Sequence, residues 1–189
     1  MKRAGILGGT FDPPHIGHLI VANEVLEALS LDEVRFMPNH TPPHKKKNEK
    51  VTSHDRLQMV RISVNSNPKL TAETIELGRD GASYTYDTIK ALQEQEPDTK
   101  FYFIIGADMI EYLPKWYKVD ELMEMVQFVG VQRPTYKEET SFPVIMVDIP
   151  QIDLSSSLIR KRVKEGKSIK YLVHEEVQKY IEVNRLYES

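Results

Sequence analysis

The chain has 189 residues, 40% of them apolar, with 9 Gly and 11 Pro, enough for one domain with a sizeable core and cramped for two. Without a single Cys it can hold neither a disulfide framework, nor a thiolate metal site, nor a cysteine nucleophile, and the reducing cytoplasm is the expected compartment. A net charge of -3 gives the bulk surface no electrostatic reason to bind nucleic acid.

Met1-Lys2-Arg3 has the charge of a signal-peptide head, but the apolar run behind it stops at Gly8-Gly9 and Asp12-Pro13, so Ala4 to Leu7 reads as a first strand. Nowhere does an unbroken apolar run approach the roughly eighteen residues of a membrane span. Leu19, Ile20, Ala22, Leu26 and Leu29 recur at helical spacing, which predicts a helix over Gly17 to Leu29. A strand over Glu33 to Met37 is expected next. A Pro- and Lys-rich loop from Pro38 to Lys50 follows, then a helix over Ser53 to Ser66 opened by a Thr52/Asp55 capping box.

Leu70 to Leu77 alternates like a strand, Tyr84 to Glu94 like a helix, and Phe101 to Ile105 is a continuous apolar strand of the buried type. Beyond it a helix is expected at Asp120 to Val126, strands at Phe128 to Val131 and Val144 to Val147, and helices at Ser156 to Lys164 and His174 to Asn184. Alternating elements of this kind predict a Rossmann-like, doubly wound α/β fold: a mainly parallel sheet with helices on both faces. Residues 1–189 are expected to form one domain with a small helical part from about 153 to 189.

Gly8-Gly9-Thr10-Phe11-Asp12-Pro13-Pro14-His15-Ile16-Gly17-His18 lies between the first strand and the first helix, where doubly wound sheets place ligands. It is neither of the standard glycine-rich phosphate loops. Glycines let backbone amides approach an anion, and a helix N-terminus adds unpaired N–H groups and partial positive charge. His15 and His18, three residues apart, place two imidazoles on one side of that helix. The pair alone would more often be structural; the glycines and the helix start favour a site. A zinc centre is disfavoured, because only Asp12 stands nearby as a third ligand, and no protein metal ligand is assigned.

Leu154-Ser155-Ser156-Ser157-Leu158-Ile159-Arg160 places hydroxyls at a second helix start and a guanidinium a turn later. Serines there are helix caps in the plain reading; with the arginine they also make an anion cradle. Between the two segments, Asp108 follows the buried strand, where a carboxylate could accept ribose hydroxyls or cap the next helix. Trp116, the sole tryptophan, could stack on a heteroaromatic base or pack in the core.

His15-Ile16-Gly17-His18 resembles the H-x-G-H motif of the nucleotidyltransferase superfamily, shared with class I aminoacyl-tRNA synthetases. The second segment is similar to that superfamily's I-S-S-T-x-I-R motif, with Leu154 in place of Ile and Ser157 in place of Thr. Together with Pro42-Pro43-His44-Lys45, Ser83-Tyr84-Thr85-Tyr86-Asp87-Thr88, Ile104-Ile105-Gly106-Ala107-Asp108 and Lys115-Trp116, the chain resembles bacterial nicotinate-nucleotide adenylyltransferases over its whole length.

That resemblance implies ATP and nicotinate mononucleotide as partners and Mg²⁺ as a cofactor brought with ATP, without a dedicated protein cage. It implies hydrogen bonds from His15 and His18 to the phosphates, with Gly9, the Thr10 and Phe11 amides, Ser155, Ser156 and Arg160 as further anion contacts. His44 and Lys45 would reach the phosphates from the Pro38–Lys50 loop, and Ile105 and Gly106 would lie close to the nucleotides. On the mononucleotide side it implies Gly8, Asp108 on a ribose, Trp116 on the pyridine ring, and the Thr85 and Tyr117 amides on the carboxylate. Adenylyl transfer to phosphopantetheine, cytidylyl transfer to a small polyol or choline phosphate, and a catalytically silent nucleotide sensor are the alternatives. A homodimer is compatible with the sequence; nucleic acid and membrane are not expected partners.

Overall fold

A computed structural model describes residues 1–40, 51–79, 84–132, 141–150 and 152–189. Among them, β1 (Lys2–Gly9), β2 (Glu33–Pro38), β3 (Leu70–Ala72), β4 (Thr99–Gly106), β5 (Gln127–Gln132) and β6 (Val144–Asp148) form one sheet. Every neighbouring pair is parallel, in the order β3-β2-β1-β4-β5-β6. The helices are α1 (Ile16–Ala28), α2 (Ser53–Val64), α3 (Thr85–Gln95), α4 (Ala107–Ile110), α5 (Val119–Met125), α6 (Ser156–Lys164) and α7 (Glu175–Val183), with a 3-10 turn at Leu113–Lys115.

Strand periodicity assigns the two faces. Along β4, Tyr102 and Ile104 join one core, under Ala22, Val25 and Leu26 of α1 and Val60 and Val64 of α2. Phe101, Phe103 and Ile105 join the opposite core, under Ile89 and Leu92 of α3 and Leu122 of α5. Parallel strands covered on both sides need apolar residues at every position, which is why Phe101 to Ile105 shows no polar alternation. A third apolar cluster packs Ile159, Ile169, Val173, Val177, Ile181 and Leu186 against Met59 of α2, so the segment after residue 152 sits on the far side of α2 from the sheet.

The chain runs outward from β1 through β2 to β3, then returns beside β1 as β4 and continues the other way. Such a reversal opens a crevice at the carboxyl ends of the two central strands. The register pairs Leu7 with Ile104, so the strand ends carrying Gly9 and Gly106 lie side by side there.

Two local expectations need correction. The strand foreseen to Leu77 ends at Ala72: the Glu73 carboxylate accepts hydrogen bonds from the backbone N–H groups of Thr74 (2.8 Å) and Ile75 (3.1 Å), and this local bonding replaces the ladder. α4 and the 3-10 turn were not anticipated, since four and three residues carry no helical period. The capping box of α2 is present, Thr52 Oγ1 accepting from the Asp55 N–H (3.1 Å) and the Asp55 carboxylate from the Thr52 N–H (2.8 Å).

Arg35, buried on β2, donates to Glu33, to Glu73 beyond β3 (3.1 Å) and to both carboxylate oxygens of Glu96 at the end of α3. The guanidinium also faces the Phe101 ring. One cation thereby ties the β3 exit and α3 to the sheet. Arg35→Ala would leave Glu73 and Glu96 without their cation, Glu33 keeping Lys2 (3.0 Å), and the expected loss is about 3 kcal/mol of unfolding free energy in urea titration.

Candidate active site

After Gly9 the chain leaves the sheet, and the two prolines at 13 and 14 have no N–H to offer. Its carbonyls are held by side chains from distant segments. Arg56 of α2, 2% exposed, donates to the Thr10 carbonyl (2.7 Å) and the Asn39 carbonyl (2.8 Å). Arg160 of α6 donates to the Asp12 carbonyl (2.8 Å), and the Ser156 hydroxyl to that of Pro13 (2.8 Å). Carbonyl and N–H of a trans peptide point opposite ways, so anchoring the Thr10 carbonyl also orients the Phe11 amide. Phe11 has a left-handed backbone (φ 50°), and its ring fills the space above Gly9, where an added Cβ would come within 3.1 Å of it.

α1 starts directly behind this loop, with His15 as its N-cap residue. The His15 N–H donates to His18 Nδ1 (3.1 Å), and the two imidazoles stack with centroids 3.7 Å apart. The His18 ring also meets the Phe11 edge at 4.9 Å. A Cβ at Gly17 would lie 2.9 Å from the His15 ring, so the glycine between the histidines is needed for that ring to fold over the helix start. Burial, then His15, pushes His18 down to about 3, and burial pushes His15 down to about 4. Both rings are therefore neutral at pH 7. Because His18 Nδ1 accepts a hydrogen bond, its proton sits on Nε2, which makes that atom a donor.

His15, Gly17 and His18 line a cleft of about 920 Å³ together with Gly106, Asp108, Ser155 and Ser156. The two segments that the sequence marked as anion sites, far apart in the chain, thus open into one cavity. Ile20, Val21, Val131, Ile149, Pro150 and Ile152 supply its apolar wall. Ser155 caps α6, its hydroxyl accepting from the Leu158 N–H (3.2 Å), so the capping and anion-site readings coexist. Arg160 is not in the cleft wall: it spans Asp12 and the Ser157 hydroxyl (3.1 Å), holding the loop that the histidines follow. Ile105 turns its side chain into the core, leaving only its backbone for a ligand.

Gly8, Trp116, Tyr117 and Thr85 do not line this cleft; Trp116 packs on the core of the α3 face. Phe103 lies under Gly8, 3.6 Å from the position of an added Cβ, and takes the Trp116 ring edge-on at 6.0 Å. Trp116, half-buried, also leans on Phe128 at 5.8 Å, so packing accounts for part of its surface. The exposed Tyr117 ring contacts Tyr84, the N-cap residue of α3, at 4.8 Å. Thr85 at the α3 start therefore stands next to Tyr117. Buried Glu76, whose pKa burial raises, accepts from the Thr88 hydroxyl (2.9 Å) and holds the first turn of this helix. His44 and Lys45 lie outside the described residues.

Two contributors escaped the sequence reading. Arg56 gave a signal that could have been used: it is a charged residue three before Met59 and four before Val60, on the apolar stripe of α2. Tyr187, whose hydroxyl donates to Asp12 Oδ1 (2.6 Å), gave none. Among the described residues no group of three His, Asp or Glu side chains could hold a metal ion, and no helix is long and apolar enough to cross a membrane.

Residues 6–162 match the family model described as cytidylyltransferase-like. The fold aligns with Plasmodium falciparum nicotinic acid mononucleotide adenylyltransferase complexed with NaAD at a TM-score of 0.80 and 24% identity, covering 100% of this chain and 98% of the other. The chain is 51% identical to the nicotinate-nucleotide adenylyltransferase of Bacillus subtilis over 189 residues, the full length of both. It is 57% identical to a "probable nicotinate-nucleotide adenylyltransferase" of Geobacillus thermodenitrificans, over 99% of this chain and 87% of that one. With more than half its positions shared along its whole length, this chain belongs to the nicotinate-nucleotide adenylyltransferase family.

Proposed function

We propose that the chain, acting as one nucleotidyltransferase domain in the cytoplasm, transfers the adenylyl group of ATP to nicotinate mononucleotide, a step of NAD biosynthesis. The products are nicotinate adenine dinucleotide and pyrophosphate. The observation that carries this reading is the shared cleft, in which the α1 start with its histidines and the α6 start with its serines face the same cavity. A polyphosphate suits two helix N-termini, each carrying partial positive charge.

The nucleophile comes with the substrate. A phosphate monoester has a second pKa of about 6, so at neutral pH its oxygen attacks the α-phosphorus without a general base. The bond from that phosphorus to the bridging oxygen breaks and the electron pair leaves on pyrophosphate. The protein has to align the two phosphates and hold the charge on the departing group. His18 Nε2–H and His15 are the proposed donors, with the Thr10 and Phe11 amides, Ser155 and Ser156 beside them. Arg160 fixes the loop through Asp12 and Ser157 and has further N–H groups to offer a phosphate.

Asp108 is exposed at the cleft mouth and serves a ribose in this reading. Mg²⁺ would arrive on ATP, since this ion keeps several waters and takes one or two carboxylates plus phosphates. Bound so, the ion would offset charge on the triphosphate. On the opposite flank Trp116 would meet the pyridine ring, and the Thr85 and Tyr117 amides its carboxylate. A helix start favours an anion, so this arrangement supports nicotinate over the neutral nicotinamide.

Pyrophosphate release measured with ATP, Mg²⁺ and a panel of acceptors tests the assignment. Nicotinate mononucleotide is expected to give the highest kcat/KM, above nicotinamide mononucleotide and phosphopantetheine; no release with it overturns the reading. His18→Ala is expected to lower kcat by about 10²–10³ while leaving the circular dichroism spectrum intact.

The histidines also predict a pH dependence of stability. Unfolded, both titrate near 6.5; folded, near 4 and 3, so below 6.5 the unfolded chain takes up protons that the folded one refuses. The melting temperature should fall as pH drops from about 6.5 toward about 4, and less steeply in a His15→Gln, His18→Gln double variant.

A further inference from the structure

Beyond α7 the chain does more than cover the third core. Residues Arg185 and Tyr187 both have left-handed backbones (φ 53° and 66°), a conformation that costs a non-glycine residue about 1 kcal/mol or more and persists only where the surroundings enforce it. What enforces it here is visible. Leu186 between them is buried in the third cluster, and the Arg185 and Leu186 N–H groups donate to the carbonyls of Glu182 and Ile181 at the end of α7. The Tyr187 hydroxyl is thereby directed at Asp12 Oδ1, 2.6 Å away and 175 residues earlier in the chain. Phe11, next to Asp12, is left-handed too, so the hydrogen bond joins two strained segments.

We infer that Tyr187 is a positioning residue for adenylyl transfer: through Asp12 it holds the loop whose end places His15 and His18 in the cleft. This rests on the reading of the cleft given above. The Asp12 peptide is then gripped at two points, the carboxylate by Tyr187 and the carbonyl by Arg160. Ser156 holds the next residue, and the Leu172 carbonyl accepts from the Ile16 N–H at 2.9 Å, so the segment after residue 152 meets the loop and the α1 start at four places. Burial, then the Asp12 carboxylate, raises the Tyr187 pKa well above the usual phenol value, so the hydroxyl keeps the proton it donates. A displacement of the histidines by a fraction of an ångström would act on the chemical step, because donors to a transition state depend on position more steeply than ground-state contacts do.

Tyr187→Phe removes the hydroxyl alone. The expected result is a kcat lower by about tenfold per folded enzyme, with KM for ATP and for nicotinate mononucleotide within about twofold of wild type. A role in packing alone would lower the melting temperature and leave kcat per folded enzyme unchanged, and that outcome overturns the inference. So does a loss confined to KM. Asp12→Asn keeps an acceptor oxygen and the volume while weakening the bond; kcat should fall by about threefold, and in the double variant the two effects should not multiply, because both sever one contact. If Tyr187→Phe does not fold, the kcat of Asp12→Asn decides: a value equal to wild type overturns the proposal. Wild-type enzyme inactive with nicotinate mononucleotide would instead sink the functional reading, which separates the two failures.

Discussion

The site depends on how one short loop satisfies its backbone. Between Gly9 and His15 the chain has left the sheet and includes two prolines, so its carbonyls need partners that no ladder supplies. Arg56, Arg160 and Ser156 provide them from α2 and α6. A buried guanidinium is tolerable there because its N–H groups find fixed acceptors. The same bonds decide where α1 begins and therefore where the histidines stand.

Under the proposed function, burial of those histidines would serve the chemistry as well as result from packing. Stacked at 3.7 Å against each other and beside Phe11, the rings lose hydration and stay neutral at pH 7. A neutral imidazole with its Nδ1 occupied presents one donor in one direction, whereas a protonated ring would bind a polyphosphate more strongly from the start. Catalysis gains only from interactions that strengthen as charge moves onto the leaving group. A fixed neutral donor meets that condition better than a full charge.

The two flanks of the crevice differ in chemistry. On the side of α1 the cleft wall is built from helix starts and short hydroxyl side chains. On the side of α3, outside the residues that line the cleft, two aromatic pairs stand near the strand ends, Phe103 with Trp116 and Tyr84 with Tyr117. The first arrangement suits phosphates and the second a flat ring. The all-parallel sheet forces them to the same end, because every strand delivers its carboxyl terminus there.

Much of this was legible in the residues. Continuous apolar strands, helical spacing and the Thr52/Asp55 cap announced the alternating fold, because these signals are local and repeat with the period of the element. The histidine and serine motifs stood out as candidate anion sites for the same reason, each lying within one turn of a helix start. Where Leu70 to Leu77 misled, a glutamate's local hydrogen bonds competed with the ladder, and alternation alone does not reveal that. What only the folded chain decided is the meeting of distant parts: the two sites in one cavity, Arg56 under Thr10, Arg160 turned to the loop, and Tyr187 on Asp12. Those contacts depend on the packing of α6 and α7 over α2, and no spacing along the sequence encodes a hydrogen bond between residues 12 and 187.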